Sequence, residues 1–380
     1  MKIVMDANIP AAQECFGCFG EVVRLPGREI TATDITDADA LIVRSVTPVT
    51  ATMVSGSRLT FVGSCTIGTD HVDQMALTEH GVTFASAPGC NAEAVVDYVL
   101  SSLLSLAERD QWQLSERRVG IVGVGNVGGR LQERLRAMGV ATLACDPPRA
   151  AAEGDKEFVD LDTLIEQCDV ICLHTPAVQG GKYPTHHLLD ARRIEELKPG
   201  CVVLNAGRGD CIDGLALRVR LAGKGDITAV LDVWEHEPRI DVGLRDLAAI
   251  ATPHIAGYSL DGKLRGSWQV HAALARHLDR SVLALEELLP PPAVAELNLQ
   301  QALAPEDALR LCARAVYDVR RDHDRLHWYT RHQGIEAGFD HCRAHYPLRR
   351  EFSTLTVGLY GEASQLKGLI QAAGFQTVAE

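Results

Sequence analysis

The run Val119-Gly-Ile-Val-Gly-Val-Gly-Asn-Val-Gly-Gly-Arg130 limits what this chain can fold into more than any other stretch. It reads as a buried strand, a glycine turn and the opening of a helix. Gly123, Gly125 and Gly128 have the spacing G-x-G-x-x-G. The first glycine permits the tight turn, the second lets the backbone approach a pyrophosphate, and the third lets the helix pack on the strand. Asn126 and Val127 begin the helix, whose free N–H groups and positive dipole end suit phosphate oxygens. Asp146 closes the next apolar run, where a carboxylate accepts hydrogen bonds from the adenosine ribose and repels a 2′-phosphate. The pattern predicts a site for NAD rather than NADP, with Arg149 as the one nearby cation that would favour the second.

A chain of 380 residues is too long for one core and predicts two or three domains. A net charge of −13 argues against a nucleic-acid or anionic-membrane surface, though a small basic pocket for an anionic substrate remains compatible with it. No apolar run is long enough to span a bilayer. The start, Met1–Asp6, reads as a short strand and not as a signal peptide. Eleven cysteines scattered through the apolar runs fit reduced thiols, so a cytoplasmic protein is expected. Cys15 and Cys18 have C-x-x-C spacing but no second pair beside them, and no metal site is expected.

The expected class is α/β. Ile3–Met5, Leu41–Val43, Leu59–Val62 and Val82–Ala85 read as buried parallel strands of a first unit. A strongly apolar helix over 93–108 follows, suited to an inter-domain or subunit interface. The glycine turn opens a second unit with strands at Val119–Val124, Ala141–Cys145, Val170–Leu173, Val202–Asn205, Ile227–Leu231 and Ile250–Ala251. A helical stretch from Leu260 to about Leu285 is expected to return to the first unit. This predicts a discontinuous substrate domain (1–92 and 257–286) with a Rossmann-type NAD domain (93–256) inserted, then a C-terminal α/β domain (287–380). After Pro290–Pro292 come a helix near Ala308–Val319, a stretch rich in His and Arg, and a terminal strand–helix–strand.

Four short motifs follow the glycine turn in order: Cys172-Leu-His-Thr-Pro176, Asn205-Ala-Gly-Arg-Gly-Asp210, Leu231-Asp-Val-Trp-Glu-His-Glu-Pro238 and Thr252-Pro-His-Ile-Ala-Gly-Tyr258. With them the chain resembles the D-isomer-specific 2-hydroxyacid dehydrogenase family over roughly residues 1–285. The resemblance implies His254 as acid–base, Glu237 as its support and Arg208 as the holder of the substrate carboxylate. It implies Thr175, Ala206, Gly207, Arg208, Asp232 and Gly257 around the cofactor, with Asp232 towards the nicotinamide end. These roles make chemical sense. Imidazole titrates near neutrality, a carboxylate orients it and stabilises its charged form, and a guanidinium fork matches a carboxylate.

Val43-Arg-Ser-Val-Thr-Pro48, Ser64-Cys-Thr-Ile-Gly-Thr-Asp-His-Val-Asp73, Ala87-Pro-Gly-Cys-Asn91 and Arg349-Arg-Glu-Phe352 extend the likeness to a branch acting on 4-phospho-D-erythronate in vitamin B6 synthesis. That branch implies substrate contacts from Ser45, Thr66 and Tyr258, and a homodimer formed through the C-terminal domain. Arg44 is a further cation near the substrate loops, and Arg349 or Arg350 is an expected partner for the phosphate. Two alternatives stand beside it: a dehydrogenase of 3-phosphoglycerate, and a non-catalytic NAD-sensing corepressor on the same fold.

Overall fold

The computed structural model describes residues 1–154 and 157–379. The chain divides into two compact units, Met1–Asn91 with Ser259–Pro291, and Ala92–Tyr258 with Pro292–Glu380.

The first unit is a parallel sheet of β1 (Lys2–Asp6), β2 (Glu21–Leu25), β3 (Ala40–Val43), β4 (Phe61–Ser64) and β5 (Thr83–Ala85), in the order β2-β1-β3-β4-β5. This is the flavodoxin-like order, with a switch point between β1 and β3. Strands β3 and β4 are buried throughout, as expected where helices cover both faces. Helix Leu260–His277 returns to this sheet. Its Val270 and Leu274 join a core with Ile3, Met5, Ile42 and Phe61.

The second unit contains a six-stranded parallel sheet: β6 (Arg118–Val122), β7 (Ala141–Cys145), β8 (Val170–Leu173), β9 (Val202–Asn205), β10 (Thr228–Leu231) and β11 (Ile250–Ala251). Its order is β11-β10-β9-β8-β6-β7, so the winding reverses between β6 and β8. Five helices of this unit open on an aspartate. Asp146, Asp160, Asp190, Asp213 and Asp241 each accept a backbone N–H from the first turn. Each such cap satisfies a donor with no partner inside the helix and is worth about 1 kcal/mol.

The expected interface helix spans Ala92–Arg109, and its apolar residues from Val95 to Leu106 are buried within the chain itself. It packs on helices Asn126–Ala137 and Pro305–Val316. Its apolar surface is therefore covered within one copy, partly by a helix of the C-terminal segment, which favours the inter-domain alternative over the subunit one. The C-terminal segment belongs to this same compact unit. It carries a three-stranded parallel sheet, β12 (Glu296–Leu299), β13 (Thr356–Leu359) and β14 (Gln376–Ala379), in the order β12-β13-β14. Helices Arg320–Gln333 and Ile335–Ala344 form a tightly packed pair. The first of them meets β11, where the ring of His323 accepts the Ala251 N–H at 3.0 Å.

Candidate active site

Six loops of the second unit leave the same edge of its sheet, at the carboxyl ends of the strands. In open α/β sheets this is the edge that binds ligands, at the point where winding reverses. Gly123 follows β6 and takes φ +86°, a backbone conformation open to glycine. A Cβ there would lie 2.9 Å from Thr175 Cγ2 and 3.0 Å from the His174 carbonyl oxygen, both on the loop after β8. A Cβ on Gly128 would fall 2.0 Å from the Gly123 carbonyl oxygen, so helix and turn are in backbone contact. At Gly125 a Cβ would meet nothing within 4 Å. The second glycine thus faces open space and the third a packed backbone, which is the cradle a pyrophosphate needs.

Asp146, after β7, accepts the Val124 N–H at 2.8 Å through Oδ2 and the Arg149 N–H at 3.1 Å through Oδ1. It is fixed beside the glycine turn while it caps the helix Pro147–Glu153. The Arg149 guanidinium is engaged by both oxygens of Glu153 and by the Val124 carbonyl. The cation that would have favoured a 2′-phosphate is thereby committed elsewhere.

The loop after β9 carries Ala206, Gly207 and Arg208. The Asn205 side chain closes it, taking the Gly207 N–H at 3.0 Å and donating to the Arg208 carbonyl at 2.9 Å. Gly207 lies against Thr175, where a Cβ would be 3.0 Å from the carbonyl oxygen. Gly209 lies against Trp234, 2.0 Å from its carbonyl carbon on the same test. Arg208 is thus held between the β8 loop and the β10 loop. Its guanidinium donates to its neighbour's carbonyl at 2.8 Å, and among the described residues no carboxylate is within ion-pair distance. Thr175 is buried, with its hydroxyl directed to Cys211 Sγ at 3.2 Å.

His254 and Glu237 are in direct contact, with His254 Nδ1 2.7 Å from Glu237 Oε2. The other carboxylate oxygen accepts the Trp234 N–H at 2.9 Å, which fixes the plane of the group. Burial raises the Glu237 pKa, but the hydrogen bond and charge of His254, the Trp234 N–H and the charge of Arg343 outweigh it. The carboxyl is held below the ordinary value. His254 has φ +58°, a conformation costly for any residue but glycine.

Asp232 explains how that conformation is held. It is 1% exposed. Its Oδ1 accepts the Thr252 hydroxyl at 2.7 Å and the Ile255 N–H at 2.8 Å, and its Oδ2 accepts the Ala256 N–H at 2.9 Å. The Asp232 carbonyl takes the His254 N–H at 2.7 Å. The sequence placed Asp232 towards the nicotinamide; the structure gives its carboxylate three partners within the histidine loop. Gly257 and Tyr258 end that loop, and Arg343 donates to the Tyr258 hydroxyl through Nε and Nη2 at 3.2 and 3.1 Å.

In the first unit, Val43 and Ser64 are paired in register, so Ser45 and Thr66 leave adjacent strand ends of one sheet edge. Ser45 is exposed, and the Thr66 hydroxyl is 2.9 Å from Ser64 Oγ. Arg44 is paired with the buried Asp6 at 2.8 Å. The expected phosphate role of Arg349 is corrected. Arg349 is 4% exposed, donates to the Ala256 and Ala94 carbonyls, and lies 3.5 Å from the Tyr317 ring centroid. It joins the C-terminal segment to the histidine loop, with its guanidinium turned into the protein interior.

Residues 101–256 match the family model described as D-isomer specific 2-hydroxyacid dehydrogenase, NAD binding domain. An erythronate-4-phosphate dehydrogenase of Chromohalobacter salexigens is 53% identical over 99% of this chain and 98% of that relative. The chain belongs to the erythronate-4-phosphate dehydrogenase family. A member from Azotobacter vinelandii is 52% identical over the full length of both chains. The chain is therefore an NAD-dependent oxidoreductase rather than a corepressor. Two solved structures share the fold: an NAD-bound 3-phosphoglycerate dehydrogenase of Entamoeba histolytica (TM-score 0.62, 22% identity) and a D-lactate dehydrogenase of Aquifex aeolicus (TM-score 0.59, 22% identity). Each covers 73% of this chain, and 95% and 96% of those chains respectively are matched. Residues 288–374 match a model described only as a domain of unknown function. Among the described residues no helix is long and apolar enough to cross a membrane, and no cluster of three His, Cys, Asp or Glu could hold a metal ion.

Proposed function

We propose that the chain oxidises 4-phospho-D-erythronate at C2 to 2-oxo-3-hydroxy-4-phosphobutanoate, a step towards pyridoxal 5′-phosphate. The observation that carries this reading is identity above 50% to erythronate-4-phosphate dehydrogenases over essentially the whole chain, C-terminal segment included. NAD, when bound, supplies the acceptor for the C2 hydride. Gly123, Gly125, Asn126, Val127 and Gly128 hold its pyrophosphate and Asp146 its ribose, with Thr175, Ala206, Gly207, Asp232 and Gly257 around the rest.

His254 takes the proton of the C2 hydroxyl. Its Nδ1–H is directed to Glu237, so Nε2 is the free base. As that nitrogen becomes charged, the Glu237 carboxylate stabilises the imidazolium and keeps the ring in place. Arg208, with no carboxylate of its own, holds the substrate carboxylate and draws electron density from the C2 oxygen as the carbonyl forms. Ser45, Thr66 and Tyr258 contact the substrate further along. We infer from the family resemblance that the protein works in the cytoplasm as a homodimer.

Steady-state NADH formation on 4-phospho-D-erythronate and on 3-phosphoglycerate tests the assignment. Turnover should favour the four-carbon substrate, and preference for the three-carbon one would overturn it.

A further inference from the structure

We propose that Arg343 is the cation that selects for the substrate's phosphate, so that the C-terminal segment of unknown function supplies a specificity residue to the active site. The proposal rests on the reaction assigned above. Arg343 lies on helix Ile335–Ala344, with its guanidinium carbon 5.9 Å from the ring centroid of the fully buried Phe339 and 5.8 Å from that of Tyr258. Nε and Nη2 donate to the Tyr258 hydroxyl. A guanidinium carries five N–H groups. Two are used here, and the remaining three have no protein partner among the described residues.

Arg343 shares with Arg208 the lack of a carboxylate within ion-pair distance among the described residues, unlike several other arginines shielded from solvent in the same unit. Arg134 pairs with Glu93 and Asp97, Arg220 with Asp226 and Glu195, and Arg245 with Asp246. Arg349 donates to two carbonyls and lies over the Tyr317 ring, and its buried Nε has no hydrogen-bond partner among the described residues. A half-buried cation is costly without a partner, and one held rigidly with free donors is prepared for an anion. The charge of Arg343 also reaches the acid–base machinery. Burial lowers its pKa, while Tyr258, Glu237 and Asp232 raise it to a net value above the ordinary one, and Arg343 in turn helps to keep Glu237 ionised.

The substrate has two anionic ends. Arg208, on the loop after β9, is assigned to the carboxylate next to the reacting carbon. Arg343 comes from a different part of the chain and reaches the histidine loop four residues beyond His254, which suits the far end of a four-carbon acid. Its fork of donors matches phosphate oxygens.

The test compares kcat/KM for 4-phospho-D-erythronate with that for unphosphorylated D-erythronate in the wild-type protein, Arg343→Gln and Arg343→Lys. NAD affinity serves as the folding control. Loss of one charged hydrogen-bonding partner corresponds to about a ten- to hundredfold fall in the phosphorylated-to-unphosphorylated ratio for Arg343→Gln. Arg343→Lys, which keeps the charge and loses the fork, should fall by about fivefold. The fall should lie in KM, and the rise in KM below the second phosphate ionisation near pH ~6 should flatten in the Gln variant. A ratio within twofold of wild type in a variant that still binds NAD overturns the proposal, because a residue that only supports Tyr258 would slow both substrates alike. A wild-type protein indifferent to phosphorylation would overturn the assigned reaction, and this role with it.

Discussion

Asp232→Asn separates two accounts of the same carboxylate. The three hydrogen bonds to Asp232 come from Thr252, Ile255 and Ala256, all in the loop that presents His254. An asparagine can keep its oxygen towards Thr252 and Ile255, but its amide then faces the Ala256 N–H, donor against donor. One charge-assisted bond is lost, worth about 1.5–3 kcal/mol, and a buried N–H is left unsatisfied at about 1–3 kcal/mol. The sum, about 2.5–6 kcal/mol, is a large share of the ~5–15 kcal/mol that keeps a domain folded. The loop has a cheaper escape, since His254 is held at φ +58° against an ordinary preference of about 1–2 kcal/mol. We therefore expect the loop to relax and the imidazole to lose its place.

Urea unfolding of the protein without NAD should show a loss of stability in Asp232→Asn, and kcat should fall by about a hundredfold. If Asp232 instead serves chiefly to contact the nicotinamide, stability without NAD would be unchanged and only NAD affinity would drop. Unfolding midpoints that coincide, with kcat within threefold of wild type, would refute the loop-anchoring argument.

The glycine turn offers a paired test. Gly128→Ala drives a Cβ into the Gly123 carbonyl and should lower thermal stability by about 1–3 kcal/mol, whereas Gly125→Ala meets open space and should leave the melting temperature alone while weakening NAD at least about tenfold. Equal effects on stability would sink the cradle assignment. Burial holds the His174 imidazole down from 6.5 to about 4. The unfolded chain takes up that proton first, so stability should be complete above pH 6.5 and fall by up to about 3 kcal/mol as pH drops towards 4. His174→Leu should flatten that slope in urea titrations, and an unaltered slope would show that other groups carry it. Glu237 has the same sign for a different reason: its carboxyl lies below the ordinary 4.5, so its contribution is present above that value and is lost as pH falls through the folded one. Glu237→Gln should remove this acid limb of the stability profile and slow turnover at neutral pH, both measurable on one sample.

Much of this fold is legible in the residues because its parallel strands are buried on both faces. β8 is a continuous apolar run, β6 and β9 are apolar apart from Arg118 and Asn205 at their ends, and the aspartates that follow several strands are helix caps. Two strands escape notice for the opposite reason. β2 and β12 are edge strands with partly exposed residues, so neither shows an unbroken apolar run. The helices Arg320–Gln333 and Ile335–Ala344 are hidden by composition. Among the buried residues of the first are Asp322 and Thr330, polar groups whose burial is made possible by partners such as Tyr317, Tyr346 and Arg245. No local pattern announces such tertiary pairing. The contact of His254 with Glu237 lies between motifs already visible in order along the chain. Arg343 lies in no motif. Only the fold brings it to Tyr258, so spacing alone gave no reason to select it over Arg349 or Arg350.

Single-turnover formation of NADH by His254→Ala, followed across pH with saturating NAD and 4-phospho-D-erythronate, tests the central claim most directly. Loss of the base predicts a fall of about 10²–10⁴ in the chemical step and an altered dependence on pH, with NAD affinity retained. A rate within threefold of wild type, with the same pH profile, would contradict the assignment of this histidine as the group that moves the proton.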